Sequence, residues 1–135
     1  MYAAGADHPL REPCLEVLGH AEADRLEAVT SAEVVQQILH RFSRTERWAE
    51  GVALAEAVLD AFSPVLAITH GVVSLMPGLS RRYPHHSARD LIHVATCLRH
   101  AIPAVITPDR DFDRIAEVQR IPPEDRAAVE RLLRT

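Results

Sequence analysis

The stretch from Ser87 to Ile115 constrains the fold more than any other part of the 135-residue chain. Ser87 is a typical helix-capping residue, and the apolar side chains after it repeat with the period of one helical face: Leu91, Val94, Ala95, Leu98 and Ile102. Pro103 ends this helix, and the apolar run 104–107 is typical of a strand that is covered on both faces. The stretch therefore predicts a helix followed by a buried parallel strand.

Other apolar patterns extend this alternation of helices and strands along the chain. They predict helices starting at Asp7 or His8 and covering Ser31–Phe42, Thr45–Ala61, His70–Leu79 and Glu124–Leu133, and strands at Leu26–Thr30, Val65–Thr69 and Val118–Ile121. Pro13 indicates that the regular part of the first helix begins late. Strands that alternate with helices imply right-handed crossovers and a parallel sheet. No repeat or linker divides the chain, so the sequence predicts a single α/β domain over residues 1–135.

A burst of carboxylates follows the predicted strand at 104–107. Asp109, Asp111 and Asp113 stand just beyond its C-terminal end, where open α/β sheets keep their ligand sites. Asp90 opens the preceding helix and can approach the same place from the side. Clustered carboxylates repel one another unless a cation lies among them, and Mg²⁺ or Mn²⁺ prefers oxygen ligands. The sequence therefore predicts a divalent metal site here.

Each of these acids also has a purely structural interpretation. Asp90 stands three residues after Ser87, which is the spacing of a helix capping box. Asp109 ends a strand, as turn-forming acids often do, and Asp113 is expected to be a helix cap or a solvated residue. Phe112 is expected to fill the core beneath the acidic loop.

Composition excludes several kinds of catalysis. All 15 basic residues are arginine and 19 residues are acidic, so the net charge is −4. Without lysine the chain cannot form a Schiff base or a phosphate-loop lysine contact, and no Gly-x-Gly-x-x-Gly fingerprint occurs. Any catalysis must use carboxylates, histidine, arginine or a metal ion.

Two further patterns bear on the compartment. No segment reaches the length of a membrane span, and the N-terminus lacks the basic and apolar regions of a signal peptide. Cys14 and Cys97 stand beside apolar residues at helical positions, which favours packed, reduced thiols over a disulfide. These observations predict a cytoplasmic protein.

The segment Arg82–Ile115, RYPHHSARDLIHVATCLRHAIPAVITPDRDFDRI, resembles the C-terminal half of a PIN domain, the fold of VapC-type toxin ribonucleases. In that family an aspartate followed by His-x-Ala opens the fourth helix, and Thr-x-Asp-x-Asp-Phe-Asp ends the next strand. The matching residues are Asp90, His93, Ala95, Thr107, Asp109, Asp111, Phe112 and Asp113. A weaker likeness covers Tyr2 to Pro122. The resemblance implies a three-layer fold, a parallel sheet flanked by helices.

Two positions depart from the family pattern. A PIN domain begins with an apolar strand ending in Asp-x-Asn, whereas Tyr2–Gly5 matches the segment just after that strand, so the first strand and its aspartate are expected to be missing. Gln37 occupies the position of the family glutamate on the Ser31–Phe42 helix. Glu33 lies one helical turn earlier and shares roughly that side, although it points farther from the apolar stripe.

The resemblance implies a magnesium-dependent endoribonuclease of a type II toxin–antitoxin system, with Mn²⁺ as an alternative metal. Asp90 and Asp109 would hold the metal, Asp111 would help through a water molecule, and Glu33 would partly replace the missing glutamate. RNA would be the substrate, a small antitoxin protein would block the site, and homodimers are usual for the family. The alternative is a degenerate, inactive PIN domain that only binds the antitoxin.

Three remaining patterns leave alternatives open. His85, His86 and His93 cluster, but their spacing fits no strong zinc pattern. Five arginines flank the acids and form either a solvated surface or a rim for RNA phosphates: Arg81, Arg82, Arg89, Arg110 and Arg114. Asp109-x-Asp111 also resembles the nucleophile motif of haloacid-dehalogenase phosphatases, but that family usually needs the lysine that this chain lacks.

Overall fold

The computed structural model describes residues 7–134, so the expectation for Tyr2–Gly5 lies outside the described residues. The chain divides into two compact units, Met1–Leu66 with Pro123–Thr135, and Ala67–Pro122. The described helices are α1 (Arg11–Glu22), α2 (Ala32–Phe42), α3 (Trp48–Ala61), α4 (His70–Val73), α5 (Met76–Arg82), α6 (Ala88–Arg99) and α7 (Arg126–Glu130). The strands are β1 (Ala104–Ile106) and β2 (Gln119–Ile121), with a 3₁₀ helix at Arg110–Arg114 between them.

The first unit is built around the packing of α2 against α3. Ile38, Phe42 and Ala55 are buried at this contact. A Cβ atom on Gly51 would lie inside van der Waals contact with Phe42, since the distance to the Phe42 Cβ would be 2.3 Å. Glycine is therefore required where α3 crosses this aromatic ring.

The regular part of α1 begins late, as Pro13 indicated. Its first residue is Arg11 rather than Asp7 or His8, and the Leu10 N–H donates to His8 Nδ1 at 3.1 Å just before the helix. Pro13 is the third helical residue, where its missing N–H costs nothing because first-turn amides have no partner within the helix.

The second unit is organised around α6. Leu91, Val94 and Ala95 of this helix are almost fully buried, in one cluster that also contains Phe112 and Val118. β1 pairs with β2 in parallel, with Ala104 opposite Gln119 and Ile106 opposite Ile121. Helix α6, strand β1 and the parallel pairing of β1 with β2 confirm what the spacing of apolar residues predicted, but the residues of β1 are half-buried rather than fully covered.

Helix α6 ends before Pro103, through a local backbone motif. Ala101 has a φ of 53°, and the Ile102 N–H donates to the Cys97 carbonyl oxygen at 2.9 Å. This is the Schellman arrangement, in which a residue in the left-handed region reverses the chain and satisfies free carbonyl groups. Ile102 packs against the core cluster, and the residue before a proline is in any case disfavoured in a helix.

Two predicted strands are wrong, because they are reduced to single bridges. Leu26 pairs with Leu133 and Ser31 with Leu66, and neither pairing extends to a neighbouring residue. In the region predicted as Val65–Thr69, residues 67 and 69 are exposed, and Thr69 Oγ1 caps α4 by accepting the Val72 N–H at 3.3 Å. An apolar run indicates burial, but a strand also requires partners for its backbone groups.

Three helix boundaries also differ from the predictions. The helix predicted at His70–Leu79 is two helices, α4 and α5, and α5 begins at Met76 with Pro77 in its first turn. Helix α3 begins at Trp48 rather than Thr45, and α7 is shorter than predicted. Asp125 caps α7 through its carboxylate, which accepts the Ala128 N–H at 3.0 Å.

Both cysteines lie in the part of the chain that the structure describes. Cys14 and Cys97 are both free, and burial raises the pKa of each thiol. Over residues 7–134, the helices are too short or too polar to cross a bilayer.

Candidate active site

Asp90 is oriented at the start of α6 by the residue that caps the helix. Ser87 Oγ accepts the Asp90 N–H at 3.2 Å and donates to Asp90 Oδ2 at 2.7 Å. The carboxylate thus binds the hydroxyl of the cap, and its negative charge near a helix N-terminus is favourable. Asp90 is half-buried, and its Oδ1 forms no hydrogen bond with residues 7–134. Capping and metal binding are therefore compatible at this residue.

Asp109 is held at the tip of β1 by a turn. The Thr107 N–H still bonds to the Ile121 carbonyl oxygen at 3.0 Å, and the Asp109 N–H donates to Thr107 Oγ1 at 3.2 Å. Asp109 Oδ1 accepts the Asp111 N–H at 2.9 Å and so caps the 3₁₀ helix. Asp109 and Asp111 are both exposed, so both carboxylates face water. The backbone orients only the carboxylate of Asp109.

His86 joins the segment before α6 to the acidic loop. Its Nε2 lies 2.9 Å from the Asp111 carbonyl oxygen, and this hydrogen bond requires the proton to be on Nε2. Its Nδ1 is buried without a hydrogen-bond partner among the described residues. The ring meets that of Tyr83 edge-on, with centroids 5.5 Å apart. The residues leading into Asp90 therefore contact the loop that carries Asp111.

Tyr83 makes a second connection, to the far end of the 3₁₀ helix. Its hydroxyl donates to Glu117 Oε2 at 2.6 Å and accepts the Ala116 N–H at 3.1 Å. Arg82 Nη1 lies 2.8 Å from Glu117 Oε1, and the Glu117 side chain is only 14% exposed. No sequence pattern predicted these links. Tyr83, an aromatic residue within a polar stretch, was the only sequence signal for them.

Asp113 is exposed, as expected of a solvated acid, and its carboxylate also pairs with Arg120 of β2. Arg120 Nε donates to Asp113 Oδ1 at 2.8 Å, and Arg120 Nη1 donates to the Thr107 carbonyl oxygen at 3.2 Å. The hydrogen bond from Arg120 lowers the pKa of the Asp113 carboxyl, and the charges of Arg120 and Arg110 add to this. Asp113 therefore serves to fix the acidic loop.

Glu33 lies on α2 in the first unit, whereas the three predicted metal-binding aspartates lie in the second. Glu33 is half-buried, and its Oε1 accepts a long hydrogen bond, 3.4 Å, from Gln37 Nε2. The two side chains therefore share one side of α2, as their spacing predicted.

The donor set suits a hydrated hard cation. Among residues 7–134, no three His, Cys, Asp or Glu side chains form a group that could hold a metal ion. Mg²⁺, however, keeps several waters and is commonly held by one or two carboxylates. Asp90 and Asp109 each have one oxygen oriented by a hydrogen bond and a second oxygen available. Such donors fit Mg²⁺ or Mn²⁺ better than the closed tetrahedral set of structural zinc.

Known proteins resemble the chain along most of its length. Residues 1–118 match the PIN domain family. Ribonuclease VapC23 of Mycobacterium tuberculosis is 34% identical over 109 residues, covering 81% of this chain and 86% of that protein. Ribonuclease VapC13 of the same organism is 31% identical over 121 residues, covering 90% and 92%. VapC ribonuclease Mb1869c of Mycobacterium bovis shows the same identity and coverage as VapC13.

No solved structure matches the chain. The family match spans more than half of the sequence, and it includes the helix start, the strand tip and the acidic loop described above. The chain therefore belongs to the PIN domain family, and it is of the VapC type.

Proposed function

We propose that this chain is a magnesium-dependent endoribonuclease of a type II toxin–antitoxin system. Its similarity to VapC ribonucleases supports RNA as the substrate and an antitoxin protein as the partner. The observation that carries the proposal is the 2.9 Å contact between His86 Nε2 and the Asp111 carbonyl oxygen. This contact joins the segment that leads into Asp90 to the loop that carries Asp109.

Asp90 and Asp109 are proposed as the metal ligands, with Asp111 contributing through a water molecule. Mg²⁺, or Mn²⁺ in its place, would activate a water molecule and offset negative charge at the scissile phosphate. Ser87 Oγ orients the Asp90 carboxylate, and the Asp111 N–H orients that of Asp109. Each ligand is thus held by a bond that leaves its other oxygen available.

Glu33 is proposed as a fourth catalytic residue that partly replaces the family glutamate. Gln37 occupies the family position and keeps an oxygen but no charge. The hydrogen bond between Gln37 Nε2 and Glu33 Oε1 supports the replacement, because it requires both side chains to lie on one side of α2.

The remaining proposals follow from the chain length, the two packed cysteines and the VapC-type resemblance. We propose that residues 1–135 form one three-layer domain, that the protein forms homodimers, and that it acts in the cytoplasm. The parallel pairing of β1 with β2, together with α6, supports a layered α/β arrangement.

A second candidate function is an inactive PIN domain that binds only the antitoxin. Two observations favour it: the neutral Gln37 stands at the position of the family glutamate, and no three acids of residues 7–134 form a metal-binding group. An inactive protein of this kind would bind the antitoxin without cleaving RNA.

Replacement of Asp90 separates the two functions. Asp90→Asn keeps an acceptor for Ser87 Oγ but removes the charge, so we expect the fold to remain and magnesium-dependent RNA cleavage to fall by about 10²-fold or more. The matched control is Asp125→Asn, which changes the aspartate that caps α7 in the first unit. Wild-type cleavage by Asp90→Asn would contradict the catalytic assignment, and no cleavage by the wild-type protein would favour the inactive alternative.

A further inference from the structure

Charge is divided unevenly between the two units. Ala67–Pro122 contains seven arginines and five acidic residues, a net charge of +2 with histidine neutral. The rest of the chain contains eight arginines and fourteen acidic residues, a net charge of −6. The positive unit is the one that carries Asp90, Asp109 and Asp111. A positive surface around acids is suited to the phosphates of a nucleic acid, which the acids alone would repel.

Two arginines of the second unit are used within the fold. Arg82 pairs with Glu117 at 2.8 Å, and Arg120 pairs with Asp113 at 2.8 Å. The other five are exposed and form no ion pair with an acid of residues 7–134: Arg81, Arg89, Arg99, Arg110 and Arg114. The ion pairs thus distinguish arginines that stabilise the fold from arginines available to a ligand.

Four of these available arginines lie on segments that contact one another. Arg81 lies in the last turn of α5, Arg89 in the first turn of α6, and Arg110 and Arg114 in the 3₁₀ helix. The loop between α5 and α6 is joined to the 3₁₀ helix and the residues after it by the hydrogen bonds of His86 and Tyr83.

Arg99 differs from these four in its position. It is the last residue of α6, about 15 Å along the helix axis from Arg89. It is therefore distant from the segments that carry the other available arginines, although it has the same charge and is also exposed.

We propose that Arg81, Arg89, Arg110 and Arg114 form an arginine surface that binds the phosphates of single-stranded RNA around the acidic loop. This inference rests on the proposed function, because it gives the substrate of that site its binding surface. Each guanidinium offers two parallel N–H donors to a phosphate, and this attraction does not require the metal. Arg82 and Arg120 are excluded from the surface, since their charges are neutralised by Glu117 and Asp113.

The test is the salt dependence of RNA binding without cleavage. The anisotropy of a fluorescently labelled single-stranded RNA is measured with the whole chain in EDTA, from about 50 to 200 mM salt. Each Arg→Gln change should lower the slope of log K against log salt by about 0.7, and the quadruple variant should lower it by about 2.8. Over this range the wild-type chain should therefore lose about 50-fold more affinity than the quadruple variant.

Arg99→Gln is the matched control, since it removes the same charge from the other end of α6. It should leave the slope unchanged, and thermal unfolding should show that every variant is folded. An equal effect of Arg99→Gln, an unchanged slope in the quadruple variant, or no RNA binding by the wild-type chain at low salt would each overturn the arginine surface.

Cleavage measured separately in Mg²⁺ distinguishes this inference from the proposed function. Wild-type cleavage together with an unchanged slope in the quadruple variant would overturn the arginine surface alone. Reduced slopes without any cleavage by the wild-type chain would support the surface and overturn the catalytic proposal.

Discussion

The acidic loop after β1 and the first turns of α2 both carry predicted catalytic acids, but their hydrogen bonds differ in range. His86 reaches Asp111 across 25 positions, and Tyr83 reaches Glu117 across 34. On α2 the Glu33 carboxylate accepts a bond from Gln37, four positions away. Bonds between distant segments fix the loop within its unit, whereas a bond within one helix orients a side chain only relative to that helix.

This difference in hydrogen-bond range indicates where the replacement of a functional residue is tolerated. A carboxylate on a loop that distant segments hold in place has one allowed position, so a change there should remove function. A carboxylate on a continuous helix could be exchanged for one a turn away, which is the role that we propose for Glu33 beside Gln37. We therefore expect large effects around the acidic loop and smaller ones on α2.

The largest expected effect is on stability, at Phe112. This side chain is 4% exposed and packs with the core beneath the acidic loop, so Phe112→Ala should lower the free energy of unfolding by about 3–5 kcal/mol. Trp48→Ala is the control, because that aromatic residue is 58% exposed and should change the free energy of unfolding by about 0.5 kcal/mol or less. Urea denaturation measures both changes in the free energy of unfolding. Similar losses in the two variants would show that Phe112 does not fix the acidic loop to the core.

The next effect concerns activity and tests the comparison directly. Asp109→Asn keeps an acceptor for the Asp111 N–H and removes the charge, so RNA cleavage should fall by about 10²-fold or more without unfolding. Glu33→Gln should cause a smaller loss, because Glu33 only partly replaces the family glutamate. Rates are compared at saturating Mg²⁺. Equal losses of cleavage rate, or a greater loss for Glu33→Gln, would contradict the expected difference between the acidic loop and α2.

A smaller effect is expected from removing the Tyr83 hydroxyl. Tyr83→Phe leaves the Ala116 N–H and Glu117 without this partner, so the free energy of unfolding should fall by about 1–3 kcal/mol. Ser43→Ala removes a hydroxyl that bonds only across three positions, to the His40 carbonyl oxygen, and should cost about 0.5 kcal/mol or less. Equal losses of stability in the two variants would show that the sequence separation of these hydrogen bonds does not determine how much they stabilise the fold.

The smallest effect concerns the reactivity of the two thiols. Burial raises the pKa of both thiols, so each holds less thiolate at pH 8 than a free cysteine. Cys97 is buried and Cys14 half-buried, so a disulfide reagent should modify Cys14 first, and both rates should rise as the pH passes 9. Faster modification of Cys97 would contradict the packing of α6.

Local sequence patterns were sufficient to predict helix α6, strand β1 and the position of the acidic residues just beyond the strand. The capping of α6 by Ser87 was confirmed because it depends on residues close in sequence, and the burial of Phe112 was also confirmed. The strands predicted at Leu26–Thr30 and Val65–Thr69 were wrong because an apolar run reports burial and carries no information about a backbone partner.

The links that fix the acidic loop could not be predicted. Tyr83, His86 and Arg120 act through side-chain hydrogen bonds to residues that are brought near only by tertiary folding. Their sequence context is an ordinary polar loop and a short strand, with no periodicity or motif of its own. The roles of Asp90, Asp109, Asp111 and Glu33 stay predictions.

The account depends on Asp90 and Asp109 sharing one divalent cation. A titration with Mn²⁺, followed by the electron paramagnetic resonance signal of the free ion, measures this without RNA. The account predicts one site in the wild-type chain that is lost in Asp90→Asn and again in Asp109→Asn, and that persists in Asp125→Asn. A wild-type chain without a Mn²⁺ site, or a site that survives both substitutions, would contradict it.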